Sequence, residues 1–438
     1  MRLFPRLFIT AILLAASIPA FAVSDGNVSV TTLPNGMRVI VREGHAVNLV
    51  AVDIFIKAGS VNETEQNNGL SHFVEHMIFK ATKKYGPGQI DREIEGVGAE
   101  LNGGTTKDWV HFYTTVASGY LPTALDVVSD AIMNAQFRPE DMEKERQVVL
   151  DEIARANADP TRVALDRFMQ VAYSAHPYRL PLTGTRESMG KLTRDDLVVY
   201  YNRYYVPANT CISIAGDVSP AEAVSLVQHA FAGFDRPAQA VPAPPVEPPS
   251  LSALTQQFQS PDKKAYVVLG YHVGPTSEIK EACTLDVILA MLGDTFLGRI
   301  SEAMNAKGIK FTEIKINYII QRDPSVLTAL VSVDPADADK VVPILESEFG
   351  RLVSEMVSDG ELSMAKRLVE GSDLFDQETF SGQARTLGLY DSIGSYDYAL
   401  KYAETVRSVM ASDVAAVARK YFAKTNSCTI TLKPGETQ

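Results

Sequence analysis

The sequence predicts an α+β protein made of two related domains of the α/β-sandwich type, arranged as a clamshell. Strand-like and helical segments alternate along the chain, a proline-rich segment divides it near the middle, and the two halves repeat the same order of elements. With 46% hydrophobic and 21% charged residues, the composition is that of a globular protein with a sizeable core.

Residues 1–22 are predicted to be a signal peptide. Arg2 and Arg6 form a basic start, an apolar stretch follows, and the chain then offers an A-x-A cleavage site ending at Ala22. The apolar stretch is too short for a comfortable membrane span. We therefore expect export to the periplasm or beyond the cell, without a membrane partner. A net charge of −12 without basic runs also argues against nucleic acid as a partner.

Residues 237–250 form the predicted linker, because their six prolines exclude a helix or a central strand. The linker separates a first domain, residues 23–236, from a second domain, residues 251–438. Each domain ends in an aromatic-rich helix followed by a short strand that carries Cys211 or Cys428. These two cysteines are expected to occupy one structural position used twice, as buried free thiols.

His72, Glu75 and His76 are the first candidates for a chemical role. They share one face of a predicted helix over residues 70–79. Two imidazoles four residues apart can bind one metal ion, and the acid can reach a bound water. The alternative is two core histidines beside an unrelated acid. Buried His and Glu side chains need partners, which favours the metal interpretation.

A third ligand is expected on the predicted helix over residues 139–156. Glu145 and Glu152 lie seven residues apart, on the stripe that also carries Val148 and Val149. Alone, the two acids would indicate salt-bridged carboxylates. Beside a helix with two histidines, an oxygen ligand is the better interpretation. Two histidines and one carboxylate also suit Fe(II), but an additional acid beside the ligands favours zinc.

The His72-x-x-Glu75-His76 motif is the inverted zinc motif. With Glu152 placed 76 residues after His76, and Glu145 one heptad earlier, the chain resembles the pitrilysin-like (M16) metallopeptidases. Within them it is most similar to the short two-domain bacterial relatives of the mitochondrial processing peptidase β subunit. The resemblance implies that His72, His76 and Glu152 bind one zinc ion per chain. It also implies that Glu75 is the general base and that Glu145 orients a histidine.

The resemblance further implies a peptide substrate that binds as an added β-strand. Leu101–Val116 is predicted to be the edge strand that pairs with the peptide, and Asn102 and Gly103 would contact it. On spacing alone, Asn102 could equally cap a turn before Gly103.

The second half departs from the pattern of active family members. Its single histidine is His272, so it cannot repeat the metal site. An Arg and a Tyr seven residues later, which hold the substrate carbonyl in the family, align with Met304 and Phe311, and neither side chain is an adequate donor. We therefore expect a heterodimer in which a metal-free paralogue supplies the Arg/Tyr pair. The alternative is a misalignment in which Arg299 is the donor.

The sequence thus predicts a zinc-dependent endopeptidase that forms the catalytic subunit of a two-chain enzyme. One alternative is a processing peptidase for a specific exported protein. Another is a metal-binding structural subunit, against which the presence of Glu75 argues, since binding alone does not require that acid.

Overall fold

The computed structural model describes residues 22–25, 27–293 and 298–435. Residues 1–21 of the predicted signal peptide lie outside the described residues, and Ala22 begins the first strand. Among the described helices, none combines the length and the hydropathy needed to cross a lipid bilayer.

The first half of the chain forms a sheet of seven strands. These strands are β1 (Ala22–Asp25), β2 (Val28–Thr32), β3 (Arg38–Glu43), β4 (Leu49–Ile56), β5 (Leu101–Thr105), β6 (Val110–Ala117) and β7 (Thr210–Gly216). Their order across the sheet is β1-β2-β3-β7-β4-β6-β5. The helices of this half are α1 (Leu70–Ile78), α2 (Gln89–Gly96), α3 (Leu121–Asn134), α4 (Pro139–Ala158), α5 (Pro160–Ala172), α6 (Arg186–Lys191), α7 (Arg194–Tyr204) and α8 (Pro220–Ala230).

The second half forms a sheet of five strands. These strands are β8 (Leu254–Ser260), β9 (Ala265–Val273), β10 (Phe311–Tyr318), β11 (Ser325–Val333) and β12 (Ser427–Pro434). Their order is β10-β11-β9-β12-β8. The helices of this half are α9 (Ile279–Leu292), α10 (Arg299–Ala306), α11 (Ala338–Ser354), α12 (Asp359–Asp376), α13 (Phe380–Ile393), α14 (Asp397–Arg407) and α15 (Ala411–Tyr421).

The two sheets share one topology, which confirms the predicted pair of related domains. The order β3-β7-β4-β6-β5 in the first sheet corresponds to β8-β12-β9-β11-β10 in the second. In both, the first pair is parallel and the following three pairs are antiparallel. Cys211 and Cys428 each stand second in the corresponding strands β7 and β12, and both are buried free thiols. One structural position is therefore used twice.

The predicted single edge strand Leu101–Val116 is wrong in its extent. The structure divides this stretch into a hairpin, with β5 and β6 paired so that Asn102 lies opposite Tyr113 and Gly104 opposite His111. The turn between them, residues 106–109, contains the hydrogen bonds that reverse the chain, such as Thr106 N–H to the carbonyl oxygen of Trp109 at 2.8 Å. Of these two strands, only β5 lies at an edge of the sheet, and it lies next to α1.

Each half contributes one helix to the sheet of the other half. Helix α5 packs on the second sheet through Phe168, and helix α13 packs on the first sheet near Phe55. Glycine permits both close approaches: a Cβ at Gly270 would lie 2.5 Å from the Phe168 ring, and one at Gly388 would lie 2.4 Å from the Phe55 ring. The two halves therefore share buried apolar surface in addition to the linker.

The linker, residues 237–250, contains neither helix nor strand. Glu247 anchors it to the first half, because its carboxylate accepts hydrogen bonds from the backbone N–H groups of Ser174, Ala175 and His176 at 2.8, 2.9 and 2.9 Å. A carboxylate that accepts several backbone N–H groups is favoured in its charged form, and these bonds hold the pKa of Glu247 below its usual value against the opposing effect of burial. The linker is thus held to the first half near its C-terminal end.

Candidate metal centre

Helix α1 carries the two histidines, and its first turn is held by a buried acid. Gly69 precedes the helix with φ at +94°, a conformation that favours glycine. The Glu63 carboxylate accepts hydrogen bonds from the backbone N–H groups of Gly69 and Ser71 at 2.8 and 2.7 Å, and from the Ser71 hydroxyl. A negative charge at a helix N-terminus is stabilising, so Glu63 fixes the position of the turn that begins the motif. Sequence analysis did not identify Glu63 as the residue that holds this turn.

The two histidines and Glu152 converge on one point. The Oε2 atom of Glu152 lies 3.6 Å from Nε2 of His72 and 3.5 Å from Nε2 of His76. Donor atoms placed tetrahedrally around zinc, each about 2.1 Å from the ion, are roughly 3.4 Å apart. Glu152 thus lies at the distance from each histidine that a shared zinc ion would require, and three such ligands would leave one coordination position free.

Helix packing produces this convergence. Helix α1 packs against α4, with Phe73, Val74 and Met77 in the same core cluster as Met142 and Val149. The predicted apolar stripe on α4 is wrong at one position, because Val148 is exposed while Val149 is fully buried.

Burial keeps the His72 imidazole in its neutral form. Desolvation, together with the neighbouring His76 and Arg162, lowers the pKa of His72 to about 3. The imidazole is consequently neutral at neutral pH, which is the form that binds a metal ion.

Glu145 contacts His76, as the resemblance implied. Its Oε2 atom lies 3.2 Å from Nδ1 of His76, and its Oε1 atom lies 2.8 Å from Nζ of Lys80. When Nδ1–H of His76 donates to this carboxylate, Nε2 keeps its lone pair and faces Glu152. Glu145 thereby favours the Nδ1–H tautomer of His76 and fixes the orientation of its ring.

The Glu145→Gln variant should therefore bind zinc about 10- to 100-fold more weakly than the wild type, because the amide is a poorer acceptor for Nδ1–H of His76. Competition with a chromogenic chelator measures the affinity. Glu143→Gln, on an exposed face of the same helix, is the matched control and should bind zinc normally. An unchanged affinity in Glu145→Gln would show that this contact has no role in the centre.

Glu75 lies on the same face of α1 as the two histidines. One ligand atom from each of His72, Glu75 and His76 lies within 4.8 Å of the other two. The Oε2 atom of Glu75 accepts a hydrogen bond from the hydroxyl of Thr105 on β5 at 3.2 Å. Burial raises the pKa of Glu75, although His76 and Thr105 oppose this effect. A carboxylate of raised pKa is a stronger base, suited to taking a proton from a nearby water.

The two predicted substrate contacts occupy different positions on β5. Asn102 is exposed at the sheet edge. Gly103 lies against the catalytic candidate, because a Cβ there would be 3.0 Å from Oε1 of Glu75 and 3.2 Å from the Phe112 ring. A side chain at this position would press against Glu75. The close packing therefore favours glycine at position 103, which spacing alone did not reveal.

Two family sequence profiles match this chain. The family described as insulinase (peptidase family M16) matches residues 38–186, and the one described as the peptidase M16 inactive domain matches residues 191–369. The chain belongs to peptidase family M16.

Named relatives and solved structures agree with this membership. An uncharacterized zinc protease of Mycobacterium leprae is 28% identical over 373 residues, which are 84% of this chain and 83% of that protein. An uncharacterized zinc protease of Bacillus subtilis is 25% identical over 349 residues, which are 80% of this chain and 84% of that protein. The crystal structure of a protease from Helicobacter pylori has a TM-score of 0.86 at 24% identity, covering 92% of this chain and 99% of that chain. This last likeness supports the M16 fold alone.

The second half of this M16 chain does not place a strong donor at the two aligned positions. Met304 is fully buried in the core of its own domain, and Phe311 begins β10. The alternative donor, Arg299, is engaged elsewhere: its Nε and Nη2 atoms bind the carboxylate of Glu361 at 2.5 and 2.8 Å. This bidentate pair holds the guanidinium against α12.

Proposed function

We propose that this M16 chain is a zinc-dependent endopeptidase. The observation that carries the proposal is the position of Glu152 Oε2 within 3.6 Å of both histidine Nε2 atoms, with Glu75 adjacent. In this proposal His72, His76 and Glu152 hold one zinc ion per chain, and Glu145 keeps His76 in the required tautomer. Holding the metal alone would not require the Glu75 carboxylate, which is half-buried beside the two histidines.

Zinc, when bound, supplies a Lewis acid that polarises the scissile carbonyl and acidifies the attacking water. Glu75 performs the proton transfers. Its carboxylate takes a proton from the water as the water oxygen attacks the carbonyl carbon, and it then delivers that proton to the leaving amine as the C–N bond breaks. Thr105 orients Glu75 for both steps through its hydroxyl hydrogen bond.

The substrate is proposed to bind as an extended strand along the outer edge of β5. This strand lies at the end of the sheet and next to α1, so a peptide paired with it would pass in front of Glu75. Main-chain hydrogen bonds would supply most of the affinity, and Asn102 is placed to contact the peptide from the exposed edge.

We further propose that the active form contains a second, metal-free subunit. The support is the buried Met304, the apolar Phe311 and the engaged Arg299, which leave these positions without a donor for the developing oxyanion. The loss of one preorganised donor lowers turnover by about two to three decades. We also propose that the chain is exported, because residues 1–22 have the pattern of a signal peptide. The partner subunit would then be exported as well.

A reconstitution experiment tests this function. The zinc-loaded chain alone should cleave unstructured peptides slowly, and addition of a co-exported paralogue that lacks the His-x-x-Glu-His motif should raise turnover by about two decades or more. Cleavage products are measured by mass spectrometry. Full activity of the purified single chain would contradict the proposal of a partner subunit. A complete lack of cleavage in both preparations would contradict the proposal of a peptidase.

A further inference from the structure

The cavity between the two halves is a candidate subsite of the proposed peptidase. Its volume is about 930 Å³, within the range of natural ligand pockets. It is lined on one side by β4 and β6 of the first sheet, and on the other by residues of α9, α12 and α13. The cavity is separate from the three proposed zinc ligands, none of which lines it.

Strand register connects this cavity to the proposed peptide. Residues directly opposite each other in antiparallel strands point to the same face of the sheet. Gly104 pairs with His111, and His111 lies on the cavity side. Gly103 and Thr105 point to the opposite face, where both contact Glu75. A peptide added to β5 would therefore send one side chain towards Glu75 and its next neighbour towards the cavity.

Gly104 leaves the path to His111 open. A Cβ at Gly104 would lie 3.0 Å from Nε2 of His111. This nitrogen therefore lies above Gly104, on the side of the ring nearest the edge of the sheet. A peptide strand paired with β5 would run about 5 Å from Gly104. A long side chain opposite Gly104 would consequently meet Nε2 of His111 without obstruction.

Asp53 determines which group His111 presents. Nδ1 of His111 lies 3.0 and 3.1 Å from the two carboxylate oxygens of Asp53, and both residues are buried. Nδ1–H therefore donates to Asp53, and in the neutral ring Nε2 is left as an acceptor. The ring is held in place between Trp109 and Tyr113, with centroid distances of 5.0 and 4.9 Å. The subsite thus offers a fixed acceptor surrounded by aromatic faces.

The charges around the cavity complement a cation. Asp286, Asp373 and Asp376 line it in addition to Asp53, and the one lysine or arginine among its described lining residues is Arg385. Arg385 is already paired with Asp376 at 3.4 Å. Aromatic faces attract cations, and apolar surface suits the methylene stem of a long basic side chain.

We infer that this cavity binds the side chain of a lysine or arginine in the peptide, at the position opposite Gly104 and adjacent to the residue that faces Glu75. The inference rests on the proposed function, since it requires a peptide bound along β5. Asp53 and His111 are the specificity-determining residues: His111 accepts a hydrogen bond from the basic group, and Asp53 acts through His111.

Peptide binding to a zinc-loaded Glu75→Gln chain tests the subsite without depending on turnover. Labelled peptides of one parent sequence, each with Lys, Arg, Leu, Phe or Glu scanned through the positions of the expected strand, are compared by fluorescence anisotropy. At one position Lys and Arg should bind about tenfold more tightly than Leu, and Glu should bind more weakly than Leu. Adding His111→Gln should reduce the Lys preference about tenfold.

Two further variants keep the test decisive. Asp373→Asn removes a partly exposed charge near the end of α12, where the amide can still accept the hydrogen bond from Gln377, and should reduce the same preference several-fold. His45→Gln is the matched control, because His45 also pairs with an aspartate, Asp217, at 2.6 Å, but on the exposed surface. It should retain the full Lys preference.

The outcomes separate this inference from the proposed function. If peptides bind and are cleaved by the wild type but no position prefers Lys or Arg, the subsite inference is wrong and the peptidase proposal stands. A preference for Glu or Phe at the position opposite Gly104 would also overturn it. If none of the peptides binds or is cleaved, the proposed function itself fails.

Discussion

Replacing Glu75 by glutamine should lower peptide turnover by about two to four decades while zinc content stays at the wild-type level. The amide is nearly the same size as the carboxylate and keeps the hydrogen bond from Thr105, so the local packing is retained. It cannot take a proton from water at neutral pH. Turnover is measured with a fluorogenic peptide, and zinc content by atomic emission on the same preparation.

A neutral control distinguishes loss of the base from a general effect of removing an acid. Glu93→Gln on α2 removes an exposed acid of the same half and should leave turnover and zinc content unchanged. Equal turnover of Glu75→Gln and the wild type would assign the metal a structural role. A loss of zinc in Glu75→Gln would instead place this carboxylate among the ligands.

The Glu152→Gln variant should lose zinc, with an affinity that falls by more than the roughly 10- to 100-fold expected for the supporting residue Glu145. The reason is geometric: Glu152 Oε2 is the atom that lies within 3.6 Å of both histidine Nε2 atoms, so its charge is the one closest to the ion position. Turnover should fall in parallel, because the two histidines alone leave the site short of a ligand.

Thermal unfolding provides a second measurement for Glu152→Gln. Zinc at about 100 times its Kd adds roughly 2.7 kcal/mol to the stability of the protein that binds it. For a domain of this size that increment raises Tm by roughly 5–10 °C. The wild type should show this rise on zinc addition, and Glu143→Gln should show it as well. Glu152→Gln should show little or none. A full zinc-dependent rise in Glu152→Gln would exclude this residue as a ligand.

Local sequence determined the parts of this protein that depend on residues close in the chain. The spacing of His72, Glu75 and His76 sets a common helix face, the heptad between Glu145 and Glu152 aligns two acids on α4, and six prolines prevent regular structure in the linker. The duplication was also visible, since equivalent strands carry Cys211 and Cys428 at one position. Helical periodicity and proline geometry act within a few residues, which is why these features were predictable.

Tertiary packing decided the rest. The approach of α4 to α1 brings Glu152 to the histidines, and no local pattern specifies that crossing. Glu63 reaches the start of α1 through a loop, and Asp53 on β4 reaches His111 on the neighbouring strand β6. The exchange of α5 and α13 between the two sheets depends on Gly270 and Gly388, whose role appears only when Phe168 and Phe55 lie against them. Such contacts join residues far apart in the chain, so the pairing is set by how the whole core packs and not by periodicity.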